Sequence, residues 1–585
     1  MAADISLRAI SLQLYHFLCQ HIVGTEETVR KKRLIIMIND NLMSNDIGAY
    51  ITSGSVGEGL ELKGSDMDIM IVAKLYIVHK DTDFVKDDPE KIHLVMETSE
   101  TKPGFSLLRS PYISDEFDTI VQKGNSWYLS SELFKLNFLE ESGGFIKGII
   151  HGPCFADETE EFDFAACLHY PHWIQPAENW IHRGHTSWPS SDVKSDIIDH
   201  GVLFVPIGCK GSVNEALEWR ISFSVAEKLL IYSFSHTQLL CYALMKILLK
   251  DLINININCK NILCSYFIKT IIFWVSEETP VKEWKPENLI QCFMRCFRRL
   301  LYCAEYAMCP HYFIPIINMF EKIEEQPRQS LLGHLNTLYN FGWRCVLFSE
   351  HFRNVNVHSN ALPSKSEIKR TQFERFLTSY LSVRTIVLPK QMSFSLSYRK
   401  CIQTLRINKS SVIKLLCLRF MSTICSNIQE SFVTSLEINK NIYSQRRIQL
   451  AYLLQNIHYD AVSGWLMLAA FFYKAKQYRD SLYILSYAMR KCTPEKVYLQ
   501  TRLTQLQLNM TKSTTLQRLG IVRVLKLVTL MNIRFNEGST LLPEELAFDC
   551  LQTCPFPPVA FAHFLCFLCH YHLNDIEQCY NSIRD

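Results

Sequence analysis

The chain predicts an α+β fold: a mixed-sheet lobe behind an N-terminal spine helix, a helical lobe, and then a separate α-helical, repeat-like domain. Three observations predict it. From Ala49 to about Cys209 short apolar strands alternate with turns. From Glu218 to about His351 apolar residues recur at helical spacing. Near Trp465 large and small residues alternate much as they do in a tetratricopeptide hairpin. A length of 585 residues accommodates roughly two to four domains. Apolar content of 48%, with 12% aromatic, describes packed rather than disordered protein.

The elements follow in order. Apolar residues from Ile5 to about Met43 recur with helical period and predict one long helix. It carries Arg30, Lys31, Lys32 and Arg33, a cluster that is ordinarily a solvated face and is here a candidate ligand-binding surface. The segment Ser65 to Val72 alternates, so Asp66 and Asp68 share one side of a strand while Met67, Ile69 and Ile71 share the other. The loop from Lys80 to Lys91, rich in Asp and Glu, lacks apolar framing and reads as solvated. Gly201 to Ile207 reads as a buried strand. The helical lobe follows, and residues 353 to about 395, with Asn, Ser and Pro363, read as a linker. The expected divisions are 1–215, 216–352, 353–395 and 396–585. In the last, Trp465, Leu468, Ala469, Phe472, Ser481, Leu485 and Ala488 approximate one repeat, and Pro558 to Ile583 a more degenerate one; such domains bind proteins.

The chemistry concentrates in two places. Convergent carboxylates repel unless a cation neutralises them, and hard divalent ions prefer oxygen donors. Gly54 and Ser55, just upstream of Asp66 and Asp68, would let backbone amides and a hydroxyl approach phosphates. Either piece alone is ordinarily a turn or a strand end; together they are the parts of a metal-dependent nucleotidyl-transfer site. That reaction needs a third carboxylate on a neighbouring strand, and Asp163 is the candidate, with Phe162, Phe164 and Ala166 on the opposite face.

With these residues in view, the chain resembles the cyclic GMP-AMP synthase-like receptors of the Mab-21-like nucleotidyltransferase family, from about residue 5 to about residue 325. Glu218-Trp219-Arg220-Ile221-Ser222-Phe223-Ser224 resembles that family's Trp-Arg-x-Ser-Phe-Ser signature. Leu244-Met245-Lys246 falls where the family has a phosphate-contacting lysine. Cys264 to Thr270, with Ser265 and Tyr266, matches the segment whose tyrosine stacks on a base, and His311 to Pro315 matches a packing segment. The resemblance implies a bilobal nucleotidyltransferase fold in which Asp66, Asp68 and Asp163 hold Mg²⁺ or Mn²⁺. It also implies ATP- or GTP-type substrates at Gly54, Ser55, Arg220, Lys246, Ser265 and Tyr266, a cyclic dinucleotide product, and activation by a ligand such as double-stranded RNA or DNA.

One departure matters. The DNA-sensing vertebrate members carry a zinc-binding His/Cys insertion; here Ser235-His236-Thr237 runs directly to Cys241-Tyr242, and these donors are too few for a structural zinc. Zinc is therefore not expected. A catalytically silent relative, acting as a protein-interaction scaffold through its helical C-terminal domain, is the competing reading. A third, an enzyme that extends RNA ends, fits the Trp219-Arg220 and Tyr266 segments less well.

Compartment and partners complete the sequence reading. The net charge of +3 does not by itself argue for nucleic-acid binding. Twenty-one cysteines, an odd count scattered through apolar runs, suit reduced thiols of a cytoplasmic protein. Met1 to Asp4 lacks a signal peptide's basic and apolar regions, and no apolar run approaches a membrane span. Between Glu374 and Glu430 there is no acidic residue but nine basic ones from Arg375 to Arg419, a candidate surface for an anionic partner.

Overall fold

In the computed structural model the chain divides into two compact units, Met1–Pro363 and Ser364–Asp585. The residues described are 2–62, 65, 67–82, 88, 90–111, 118–141, 150–156, 162–183 and 188–352. In the second unit they are 394–408, 413–414, 417–418, 420–422, 439–457, 460–498, 506–507, 510, 519, 521–533, 535, 539–546 and 556–584. Nearly all of the expected linker, most of the acid-free basic stretch and half of the Lys80–Lys91 loop lie outside the described residues, as does Asp66.

The expected N-terminal helix is two helices, Ala2–His21 and Glu26–Met43. The break has a local cause. Gly24 adopts φ +104°, which a side chain disfavours, and Thr25 then caps the second helix by accepting from the Thr28 amide at 3.4 Å.

The strands of the first unit are β1 (Gly48–Ser53), β2 (Met67–Ala73), β3 (Tyr76–His79), β4 (Ile92–Glu97), β5 (Phe105–Ser110) and β6 (Ile120–Lys123). They continue with β7 (Ser126–Leu129), β8 (Ile150–His151), β9 (Cys154–Ala156), β10 (Phe162–Tyr170), β11 (Val202–Val205) and β12 (Glu218–Ser222). They form one mixed sheet in the order β1-β2-β10-β11-β12-β5-β4-β3, with β6 and β7 attached at β5 and β8 and β9 attached at β10. The decisive pairing is β2 with β10. It is parallel, and its register sets Asp163 opposite Asp68 and Phe164 opposite Ile69. Both faces of this pair are covered. Phe164, Ala166 and Leu168 are buried on one; Met70, Val72 and Cys167 pack with Leu203 and Val205 on the other. A parallel pair is expected to be buried in this way, and it leaves only the strand starts, where the aspartates sit, open to chemistry.

Helices His236–Ile247, Ser265–Glu278 and Leu289–Glu305 form the helical side. One apolar cluster runs continuously from Leu18 and Val29 through Leu108 and Phe204 to Leu240, Leu244, Phe293 and Leu335. Each such buried side chain contributes about 1.5–3 kcal/mol of transfer free energy, which makes sheet and helices one cooperative body.

In the second unit, helices Ser463–Lys474 and Tyr478–Met489 form a hairpin, and Pro558–His572 with Ile576–Arg584 forms another that packs against it. Ser481 stands where a tetratricopeptide hairpin has alanine. It is fully buried, and its hydroxyl donates to the Ala469 carbonyl at 2.9 Å, so the extra oxygen is satisfied across the helix contact. Cys566 and Cys569 face the interior of the penultimate helix with Phe561, Ala562 and Leu565, as core rather than as a haem attachment. Among the described residues no helix is long and apolar enough to cross a membrane.

Candidate active site

The sheet side of the site is built by β1, the turn after it, and the starts of β2 and β10. Antiparallel pairing places Ser53 opposite Asp68, so the chain enters the Gly54 turn directly against that carboxylate. Gly54 has φ +62°, and a Cβ built on it would lie 1.6 Å from Asp68 Oδ2 and 2.7 Å from its Cγ. No other residue type fits: the carboxylate rests on the bare Cα, and the backbone is left-handed. Ser55 follows in the short helical turn Gly54–Gly57. Asp163 stands on the neighbouring strand in register with Asp68, one strand spacing away, roughly 4.8 Å.

Cys154 reports the field here. Burial first, then Asp163 and Asp68, push its thiol pKa up to about 12, while the Arg220 guanidinium opposes them. Both aspartates and Arg220 therefore act on one point. Arg220 projects, exposed, from β12, whose alternate residue Trp219 is buried and donates to the Leu129 carbonyl at 2.9 Å. Asp66 is outside the described residues, and among the described residues no three His, Cys, Asp or Glu side chains converge as metal ligands.

The helical side is held by buried charge that the sequence reading did not single out. Lys269, largely buried, lies 2.7 Å from the buried Glu58 and 2.9 Å from the buried Glu227. Burial works against its charge, yet Glu227 and Glu58 hold its pKa well above the ordinary lysine range. Glu58 closes the Gly54–Gly57 turn, so this ion cluster ties the turn to helix Ser265–Glu278. The signal lay in spacing: Glu58 is one helical turn after Gly54, and Lys269 is three residues after Tyr266.

Tyr266 sits at the start of that helix beside the exposed Ser265, and its hydroxyl is 2.7 Å from His311 Nε2. Burial pushes the His311 pKa down to about 4, so the ring is neutral at pH 7. Its Nδ1 accepts from the Phe313 and Ile314 amides at 3.2 and 3.1 Å. The single ring proton is thereby assigned to Nε2, which donates to the tyrosine oxygen. The tyrosine hydroxyl in turn bonds Glu227. His311, Tyr266, Glu227, Lys269 and Glu58 thus form one continuous polar chain. The Tyr266 ring is consequently fixed before any base arrives.

Lys246, largely buried near the end of helix His236–Ile247, has its pKa lowered by burial, with Glu58 and Asp68 opposing that shift. It is drawn to the aspartate side of the site. Lys250, one turn further, lies exposed in the wider turn Leu248–Ile253.

The four basic residues on the second helix have different surroundings. Arg30 and Lys31 are exposed and pair with Glu26 and Glu27 one turn back, at 2.6 and 2.7 Å. Lys32 pairs with Glu61 at 3.2 Å. Arg33 is buried: it donates to the carbonyls of Glu58 (2.8 Å), Ile231 (3.2 Å) and Tyr232 (3.3 Å) and stacks on the Tyr232 ring. Arg33 is thus a clamp behind the Gly54 turn. His236 and Cys241 engage separate partners, the Gly24 carbonyl with Cys19 and the Leu289 carbonyl respectively.

Residues 238–337 match the family model described as the Mab-21 protein HhH/H2TH-like domain. Mouse cyclic GMP-AMP synthase is 29% identical over 172 residues, covering 27% of this chain and 34% of that protein. The Drosophila melanogaster protein mab-21-like is 23% identical over 158 residues, covering 26% and 41%. The chain is similar to the Mab-21-like nucleotidyltransferases over this part of its length. Lys246, Tyr266, Lys269 and His311 all fall inside the matched segment. The alignment spans between a third and about two fifths of these relatives' length.

Proposed function

We propose that the protein transfers a nucleotidyl group between nucleoside triphosphates and makes a cyclic dinucleotide when an activating ligand, such as double-stranded RNA or DNA, binds. The observation that carries this reading is the parallel register of Asp68 and Asp163 with Gly54 pressed against Asp68. Hard oxygen donors at facing positions, with a cradle that a side chain would fill, fit a divalent ion. Asp68 and Asp163, with Asp66 as the third carboxylate, would hold Mg²⁺ or Mn²⁺, which would neutralise the phosphates and lower the pKa of the attacking ribose hydroxyl.

The chain's own residues supply positioning. The Ser55 hydroxyl and turn amides orient the phosphates on the sheet side, and Lys246 meets them from the helical side. Arg220 offers a planar fork to phosphate or to a guanine edge. Tyr266, held by His311 and Glu227, presents a fixed ring to the base of the acceptor. Charge development in the transition state then meets preorganised groups rather than mobile water.

The test is incubation of purified protein with all four labelled triphosphates and Mg²⁺ or Mn²⁺, with and without double-stranded RNA or DNA. A phosphatase-resistant dinucleotide, absent with Asp68→Asn, is the expected result. Product from Asp68→Asn equal to wild type would sink the site assignment. The exposed aromatic face of the second unit's hairpins favours a second reading, a silent scaffold. Calorimetric failure to bind triphosphate with metal would select it.

A further inference from the structure

The second unit gathers like charge around aromatic rings. On helix Tyr478–Met489, Tyr483 is 81% exposed and Tyr487, one turn on, is 44% exposed. Lys491 continues the stripe, its ammonium 4.2 Å from the Tyr487 ring centre and 4.8 Å from that of Trp465. The two rings meet edge to face at 4.6 Å. Two lysines converge on this spot through a backbone device. Strand β13 (Val497–Tyr498) pairs in parallel with β14 (Thr529–Leu530), and Lys496, just before β13, donates to the Leu527 carbonyl at 2.5 Å. Lys496 and Lys526 both come within the field of Lys491. Burial lowers the pKa of each, and the Lys491 charge lowers both further, while Glu495 opposes the shift at Lys496 and Tyr487 that at Lys526. Arg490, just after helix Tyr478–Met489, and Arg523, in helix Ile521–Val528, are exposed.

We propose that this face docks an acidic segment of a partner protein. Crowded ammoniums cost the fold free energy by mutual repulsion and are complementary to carboxylates. Lys491 is steadied by two aromatic faces, which keeps its charge presented outward with little rotamer freedom left to lose on binding. The chemistry favours a peptide over nucleic acid. Base stacking needs open ring faces, but Lys491 covers those of Trp465 and Tyr487. A short acidic segment instead sets carboxylates on the lysines and one apolar side chain on Tyr483. This inference stands apart from nucleotidyl transfer, because it needs neither substrate nor catalysis.

The experiment uses the full chain and a fluorescent peptide of alternating glutamate and leucine, read by anisotropy. A glutamine–leucine peptide and a labelled oligothymidylate serve as comparison probes. We expect salt-sensitive binding of the acidic peptide only. The double variant Lys491→Gln/Lys526→Gln should weaken it about tenfold, Lys491→Arg/Lys526→Arg should restore it, and Tyr483→Ser should weaken it less. Should the lysine variant melt early, Tyr483→Ser carries the test, because that side chain is exposed. The proposal is overturned by any of four results: no acidic-peptide binding at low salt, equal binding of the glutamine peptide, unchanged affinity in the variants, or tighter binding of oligothymidylate lost with the same lysines.

Discussion

Asp68 and Asp163 on the sheet side owe their placement to backbone register, whereas Tyr266 and Lys269 on the helical side are placed by buried side-chain charge. The aspartates can lose their chemistry without disturbing the strands that carry them. The lysine cannot, because Glu58 and Glu227 are sealed in with it. Side chains presented by a ladder of main-chain hydrogen bonds are replaceable; side chains that are themselves the mortar are not. Changes on the two sides should therefore separate activity from stability.

The sharpest contrast is Asp68→Asn. It should reduce nucleotidyl transfer on the order of a thousandfold while the melting temperature stays level or rises, since one of two facing carboxylates is neutralised. Gly54→Ala should lose activity to a similar degree, but with a lower melting temperature, because its Cβ cannot coexist with Asp68 Oδ2. Paired activity and calorimetry measurements check both.

Next comes Lys269→Met, which strands two buried glutamates and should cost about 3–5 kcal/mol in urea unfolding. Adding Glu227→Gln should recover part of that loss; no recovery would remove the ion cluster from the argument.

Acid should reveal the buried imidazoles. His200, His236 and His311 are each pushed down to about 4 by burial. The unfolded chain then binds more protons than the folded one between about 6.5 and about 4. Stability accordingly falls as pH is lowered through that window, by roughly 3 kcal/mol per imidazole at most. His236→Asn should flatten the slope of the urea midpoint between pH 7 and pH 5; a slope as steep as wild type would contradict the assignment.

The smallest effects belong to the second helix, and they distinguish neighbours. Arg30→Ala and Lys31→Ala should change stability within about 0.5 kcal/mol, as exposed i,i+4 pairs do. Arg33→Ala should cost about 2 kcal/mol or more, because three carbonyls lose a charged donor.

How far the sequence reached differs from residue to residue. Alternation in Ser65–Val72 and Glu161–Leu168 was enough to put Asp68 and Asp163 on defined strand faces, since side-chain direction has period two whatever the partner strand. The helical character of the second lobe and of the C-terminal hairpins followed from apolar spacing for the same local reason. Arg33 shows the limit. Its neighbours Arg30 and Lys31 are solvated, and nothing in a run of four basic residues marks which one turns inward. The break at Gly24 was missed because apolar spacing continues through it, and a positive φ leaves no periodic trace.

What the sequence determined by itself was local: strand faces, helical stripes, a glycine where a carboxylate needs bare backbone, and a chain of segments with one family's order. Only the tertiary structure decided that β2 and β10 lie side by side and parallel. It alone also decided that Glu58, Glu227 and Lys269 share one ion cluster, and that Lys491 acts on both Lys496 and Lys526. The reason is physical. Local pattern follows from the geometry of consecutive residues, whereas register and buried charge pairing depend on residues far apart in the chain, whose free energies are realised only once they are brought together.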